Sequence, residues 1–312
     1  DFREERYLLG FDHFILREEK AAFPAGAAQN LNVRETERRY IIEGDSFRYV
    51  WNRLTGTFES LTGDQISFME KPMEWNIWRA PTDNDRNIRR EWERAGYHRS
   101  SPRVYESTVE QTENGVVITA KLSLAAIYLQ PCLTLRAVWT ILPDGRIRAD
   151  IHGERGEEFP FLPRFGLRMF LPRAFEAVEY FGYGPFESYS DKHRASLLGK
   201  YETTVTEQHE DYLRPQENSS HFGCSHLAVA NPDGGCLEAV GDAFSFNTSC
   251  YTQEELAGKA HNYELEPCGS TVLCLDYKLS GIGSNSCGPK LLPQYRLEEK
   301  EFDFTIELRL SK

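Results

Sequence analysis

Several things are missing from this 312-residue sequence, and each absence excludes something. Lys and Arg form no block, and the formal net charge is -12. That excludes the basic footprint of a nucleic-acid binder and otherwise bears on solubility rather than fold. No apolar run approaches the ~20 residues a membrane-spanning helix needs. The first residues, DFREERYLLG, carry no signal-peptide core. Seven cysteines are present, an odd number at irregular spacing with no C-x-x-C. This predicts reduced, mostly buried thiols and a cytoplasmic protein rather than a disulfide framework. HExxH, a nucleophile elbow and the G-K-[ST] of a phosphate loop are all absent. Internal repeats and heptads are absent too. The sequon matches at Asn218 and Asn247 read as chance.

What is present is alternation. In VVITAKLSL, residues Val116, Ile118, Ala120, Leu122 and Leu124 share one face. CLTLRAVWTI places Leu133, Leu135, Ala137, Trp139 and Ile141 on another. GRIRADIHG continues with Ile147, Ala149 and Ile151, after the turn signal Pro143-Asp144-Gly145. These runs predict a β-meander with one buried face. Similar strands are expected at 165–171, 271–279 and 302–310, with a hairpin over 47–52 and 56–62. Helix signals are few. Residues 90–97 predict a short helix ending near Gly96. Thr252 and Glu255 stand at capping-box spacing before another. AAFPAGAAQN (21–30) reads as a linker, which makes residues 1–20 the end of a preceding module. The sequence starts without Met and in what reads as mid-strand, so a longer parent polypeptide is expected. The rest predicts one large all-β domain, an antiparallel sandwich with few short helices.

Four polar segments carry the candidate chemistry. In WNIWRAPTDNDRN (75–87), Asp83, Asp85 and Asn87 match the first three calcium-loop positions. Ile88 and Arg94 then stand where Gly and Glu are required, so the metal reading fails. Arg79 and Arg86 point instead to a loop tied by ion pairs. Arg79, Asp83 and Asp85 are expected to hold one another, with Asn84 facing a cleft. YFGYGPFESYSDKHRAS (180–196) has the aromatic and carboxylate composition that meets sugar rings, and equally that of a rigid turn; Asp191 and His193 are a conceivable dyad. DYLRPQENSSHFGCSHLAV (211–229) gathers Arg214, Glu217, His221, Cys224 and His226 without the spacing of a zinc site. GIGSNSCGP (281–289) reads as an ordered loop between strands. Its Cys287 is the cysteine expected to be exposed.

Taken together, these segments resemble a family. WRAPTDND is similar to the W-R-A-P-x-D-N-D element of large bacterial β-galactosidases of glycoside hydrolase family 2. GYGPFESYSDK, RPQENSSHFG, FSFNTSCYTQEEL and GIGSNSCGP resemble four further elements of that family, in the same order over about 210 residues. The resemblance implies its last domain, a β-supersandwich related to galactose mutarotase, over residues 31–312. Residues 1–30 would be the tail of an immunoglobulin-like domain plus the linker. It implies a parent enzyme that hydrolyses β-D-galactosides with retention, using glutamates on a barrel that is not in this sequence. No catalytic residue, metal ligand or cofactor is therefore expected here.

The implied role is to complete the sugar cleft and support assembly, with the other parent domains and a second copy as partners. Asn285, Ser286, Cys287, Asn84, Arg214 and Glu217 are the implied cleft residues. Cys287 stands where the family places a sugar-stacking tryptophan, and a thiol offers no aromatic face. Two rivals remain: a free-standing mutarotase-like isomerase using His193, His221 or His226, and a carbohydrate-binding module.

Overall fold

The computed structural model describes residues 10–17, 20–283 and 285–312. Strands β1 (Asn32–Glu35), β2 (Arg39–Glu43), β3 (Phe47–Asn52), β4 (Thr57–Gly63) and β5 (Ile66–Ser67) form a five-stranded meander. The hairpin expected over 47–62 is its centre, with Val50 opposite Ser60. The second sheet has twelve strands. They are β6 (Lys71–Asn76), β7 (Ser101–Thr112), β8 (Gly115–Ala125), β9 (Leu133–Ile141), β10 (Ile147–Arg155), β11 (Arg164–Pro172), β12 (Ala177–Gly184), β13 (Leu197–Thr204), β14 (Ser220–Ala230), β15 (Cys236–Ser249), β16 (Ser270–Leu279) and β17 (Glu301–Ser311). The chain is all-β and its strand pairs are antiparallel.

The large sheet forks at β15. The first half of that strand pairs with β17, which continues through β10, β9 and β8 to β7. Its second half pairs with β16, then β11 and β6. β14 lies along the opposite edge of both halves. A 14-residue strand can serve three neighbours because its register with β14 shifts twice, between His221 and His226.

The alternating runs bury the faces that their pattern assigns. The five residues of β8 and the five of β9 are at most 1 % exposed. They join Tyr49, Trp51 and Phe58 of the small sheet in one contiguous core, where Phe58 meets Trp139 edge-on at 5.2 Å. Helix α1 (Ile88–Ala95) begins two residues before the expected start and ends at Gly96, whose φ of 78° is the left-handed cap conformation. Helix α2 (Gln253–Gly258) is capped by Thr252, whose Oγ1 accepts the Glu255 amide at 3.1 Å.

Segment 21–30 has no regular structure and lies along the β9–β10 turn. The Gly26 amide donates to Asp144 at 2.8 Å, the Gln29 amide donates to the Pro143 carbonyl at 2.8 Å, and Phe23 sits under Arg309 at 4.6 Å. Residues 1–9 and 18–19, on which much of the immunoglobulin-tail reading falls, lie outside the described residues.

Trp139 is fully buried between the sheets. Trp139→Ala is expected to lower stability by about 3–5 kcal/mol through the cavity it leaves. Urea unfolding measures this, and a loss under about 1 kcal/mol would mean that the two layers are not joined at this contact.

Candidate functional site

The four polar segments come together at one place, and buried charge joins them. β6 runs on to Arg79, which is fully buried. Its guanidinium grips Asp85 through two bonds of 3.1 and 2.7 Å and donates to the carbonyls of Ser280 and Gly281, the latter at 3.0 Å. The other oxygen duty of Asp85 is local: it accepts the Thr82 amide at 2.9 Å and so closes the turn Asp83–Asp85. Trp92 of α1 covers the Arg79 guanidinium at 5.3 Å.

A second arginine, Arg164 at the start of β11, is equally dry. It binds Asp276 of β16 through two bonds of 3.0 and 2.5 Å, Glu217 at 3.1 Å and the Asn247 side chain of β15 at 2.9 Å. Burial opposes its charge, but Asp276 and Glu217 outweigh that and hold the proton well above the ordinary arginine range. The Glu217 amide donates to the Ala80 carbonyl at 2.9 Å, which links the two arginine clusters.

Above them runs the loop that follows β16. The Asp191 carboxylate accepts the amides of Ile282 at 3.0 Å and Gly283 at 2.7 Å. A Cβ on Gly281 would lie 2.4 Å from the Asp191 carboxyl carbon, so a larger residue there would displace that carboxylate from its bonds to the loop. Asn84 spans the next stretch, donating to the Gly283 carbonyl at 2.6 Å and accepting the Ser286 amide at 3.2 Å. Asn84, Asn285, Phe159, Phe161, Lys290 and Arg296 line a cavity of about 410 Å³ under this loop.

Of the six implied cleft residues, Asn84, Asn285 and Ser286 are gathered here. Cys287 is exposed on the loop. Arg214 opens on a different cleft of about 290 Å³, with its side chain 3.8 Å from Asp83. Glu217 must be corrected: at 2 % exposure under Arg164 it faces no cleft and serves as a buried counter-ion. The expectation that Asp83 joins Arg79 also fails, because its exposed carboxylate faces Arg214 instead, at 3.8 Å, while its amide donates to Gln216 at 3.2 Å.

The Asp191–His193 dyad does not form either. Asp191 faces the loop amides, while the His193 imidazole lies 3.0 Å from the Tyr189 carbonyl. His226 faces Glu238 at 3.6 Å, but Arg309 already holds that carboxylate through two bonds of 2.7 Å. His221 is buried against the rings of Tyr180 and Phe246. Among the described residues, no three His, Cys, Asp or Glu side chains meet as a metal site would need.

Arg164 and Asp276 were not singled out from the sequence, and Asn247 drew notice only as a chance sequon match and within a family element. A signal existed for one of them: Asp276 interrupts the apolar run TVLCLDYKL, and a charge within a buried strand needs a partner.

Arg164→Met would leave Asp276 and Glu217 buried without a counter-charge. It is expected to cost about 3–5 kcal/mol at neutral pH, read from the urea midpoint. A near-neutral result would remove Arg164 from its keystone position.

Burial pushes the His221 imidazole down to about 4 from the ordinary 6.5. The unfolded chain therefore takes up a proton before the folded one does, so this contribution is intact above 6.5 and lost as pH falls toward 4. Stability should drop by about 2–3 kcal/mol between pH 7 and 4.5 through this group. The loss should be missing from His221→Phe; an unchanged pH slope in that variant would refute it.

Residues 43–308 match a family described as the beta galactosidase small chain. The sequence is 43 % identical over 312 residues to a β-galactosidase of Actinobacillus pleuropneumoniae, covering 99 % of this chain and 31 % of that protein. It is 34 % identical over 314 residues to a β-galactosidase of Staphylococcus xylosus, with the same shares covered. The chain thus spans about a third of the length of these relatives. A galactose 1-epimerase structure from Lactobacillus acidophilus NCFM superposes at a TM-score of 0.49 with 8 % identity, covering 91 % of this chain and 99 % of that one.

Proposed function

The chain belongs to the β-galactosidase small-chain family, and from that premise we propose that it is the accessory β domain of a β-galactosidase. It completes the sugar cleft of the parent enzyme and supports its assembly, and does not itself hydrolyse the substrate. The observation that carries this reading is the bracing of loop 281–289. Asp191 and Asn84 hold its backbone, and the carbonyls at its root, Ser280 and Gly281, bind a buried arginine. A loop so held presents its tip to something outside the domain.

The carboxylates point the same way. A retaining glycosidase needs two of them about 5–5.5 Å apart across a cleft, one as acid and one as nucleophile. Here Asp85, Asp276 and Glu217 are buried and committed to arginines, and Glu187 is committed to Lys192 and Tyr212. In this reading the acid and nucleophile belong to a barrel domain of the parent. That enzyme cleaves terminal β-D-galactosides with retention. The domain works without a cofactor or metal of its own, beside the other parent domains and a second copy. Cys287 supplies no stacking face, so ring contact at that point comes from elsewhere or is weaker.

The test is to incubate the purified chain with a chromogenic β-galactoside and, separately, to follow α-galactose mutarotation by polarimetry. Neither reaction should exceed the buffer rate. Turnover that survives purification and disappears when one carboxylate is changed would replace this reading with a hydrolase. Accelerated mutarotation lost in a histidine variant would replace it with an isomerase.

A further inference from the structure

Cys250 directly follows β15, and Cys268 lies two residues before β16. Between them, residues 251–267 carry α2 and fold back on themselves. The Cys268 amide donates to the Cys250 carbonyl at 2.9 Å. With standard bond lengths, one such bond keeps the two Cα atoms within about 7 Å of each other, close to the span a disulfide bridges once the side chains turn toward one another. Both thiols are free and partly exposed, unlike Cys132, Cys224 and Cys274, which are buried. Arg173 is within electrostatic reach of both sulfurs, although burial outweighs it at Cys250 and raises that thiol above its ordinary range.

We propose that Cys250 and Cys268 are a redox-active pair that closes to an intramolecular disulfide. The oxidant is a small disulfide of the glutathione class. One protein thiolate attacks a glutathione sulfur, forms a mixed disulfide and expels one glutathione thiolate. The second protein thiolate then attacks the protein sulfur of that mixed disulfide and expels the other glutathione. Two thiol protons are released, two electrons pass to the oxidant, and one disulfide is exchanged for another.

The consequence reaches the loop platform. Tyr251 packs on His209 with ring centroids 5.0 Å apart. The Asn262 amide donates to the Leu213 carbonyl at 3.1 Å, and its side chain donates to Asp211 at 2.9 Å. Closing the 250–268 loop therefore tightens the segment that leads through Arg214 to Glu217.

The experiment treats the folded 312-residue chain with glutathione disulfide and then titrates thiols after denaturation. Seven thiols should fall to five, and peptide mapping should find one cross-link, Cys250 to Cys268, that dithiothreitol reverses. Cys250→Ser and Cys268→Ser should each form no cross-link, while Cys236→Ser should still form it. The oxidised wild type should also resist proteolysis within 251–267. Retention of all seven thiols, glutathione adducts without a cross-link, or a cross-link between other cysteines would overturn the proposal. The wild-type map decides the question even where a variant folds poorly.

Discussion

Two guanidiniums with no access to water, Arg79 and Arg164, constrain everything around them. Taking an ion out of water costs several kcal/mol, and only a nearly complete set of partners offsets it. Arg79 finds one carboxylate and two carbonyls; Arg164 finds two carboxylates and an amide oxygen. Those partners come from the 82–85 turn, Glu217, β15, β16 and the start of the 280–283 loop. None of these segments can shift alone without leaving a buried charge short of a partner. The clusters therefore stabilise little in sum, but they make the arrangement all-or-none.

The fork in the large sheet is what gives Arg164 its place. β15 changes neighbours halfway along, and β16 brings Asp276 beside Ser245 while β11 lies on its far side. A register shift at Phe165–Gly166 bends the start of β11 just where Arg164 stands. The guanidinium can then span β16 to reach Asn247 on β15. A continuous, regular sheet would have pointed the same side chain along its own strand row. Sheet topology and site chemistry are one problem here.

The sequence disclosed what repeats and concealed what does not. Alternation revealed β8, β9 and β10 because each buries one clean face. β7 escaped notice because it is an edge strand exposed along most of its length, so no apolar face marks it. β15 escaped because its two register shifts against β14 and its change of neighbours break the period of two. In the site, Asn84 and the Arg79–Asp85 pair were legible, since their partners are close in sequence or share a motif. Glu217 was not. A carboxylate in a polar segment looks the same whether it faces solvent or an arginine 53 positions away. Only pairing across the fold distinguishes the two.

The loop tip is where this architecture has freedom. Its root is fixed by Arg79 through Ser280 and Gly281, its next two amides by Asp191, and the Gly283 carbonyl and Ser286 amide by the single side-chain amide of Asn84. All of these bonds engage the backbone of the loop, and none uses the side chain at 287. The backbone leading to residue 287 is thus held as far as Ser286 by bonds that do not depend on which side chain stands at 287. Exchanging an aromatic ring for a thiol at that point changes what is displayed and leaves unchanged where it is displayed. A scaffold that separates placement from identity in this way lets the displayed side chain vary while the buried charges beneath it stay the same.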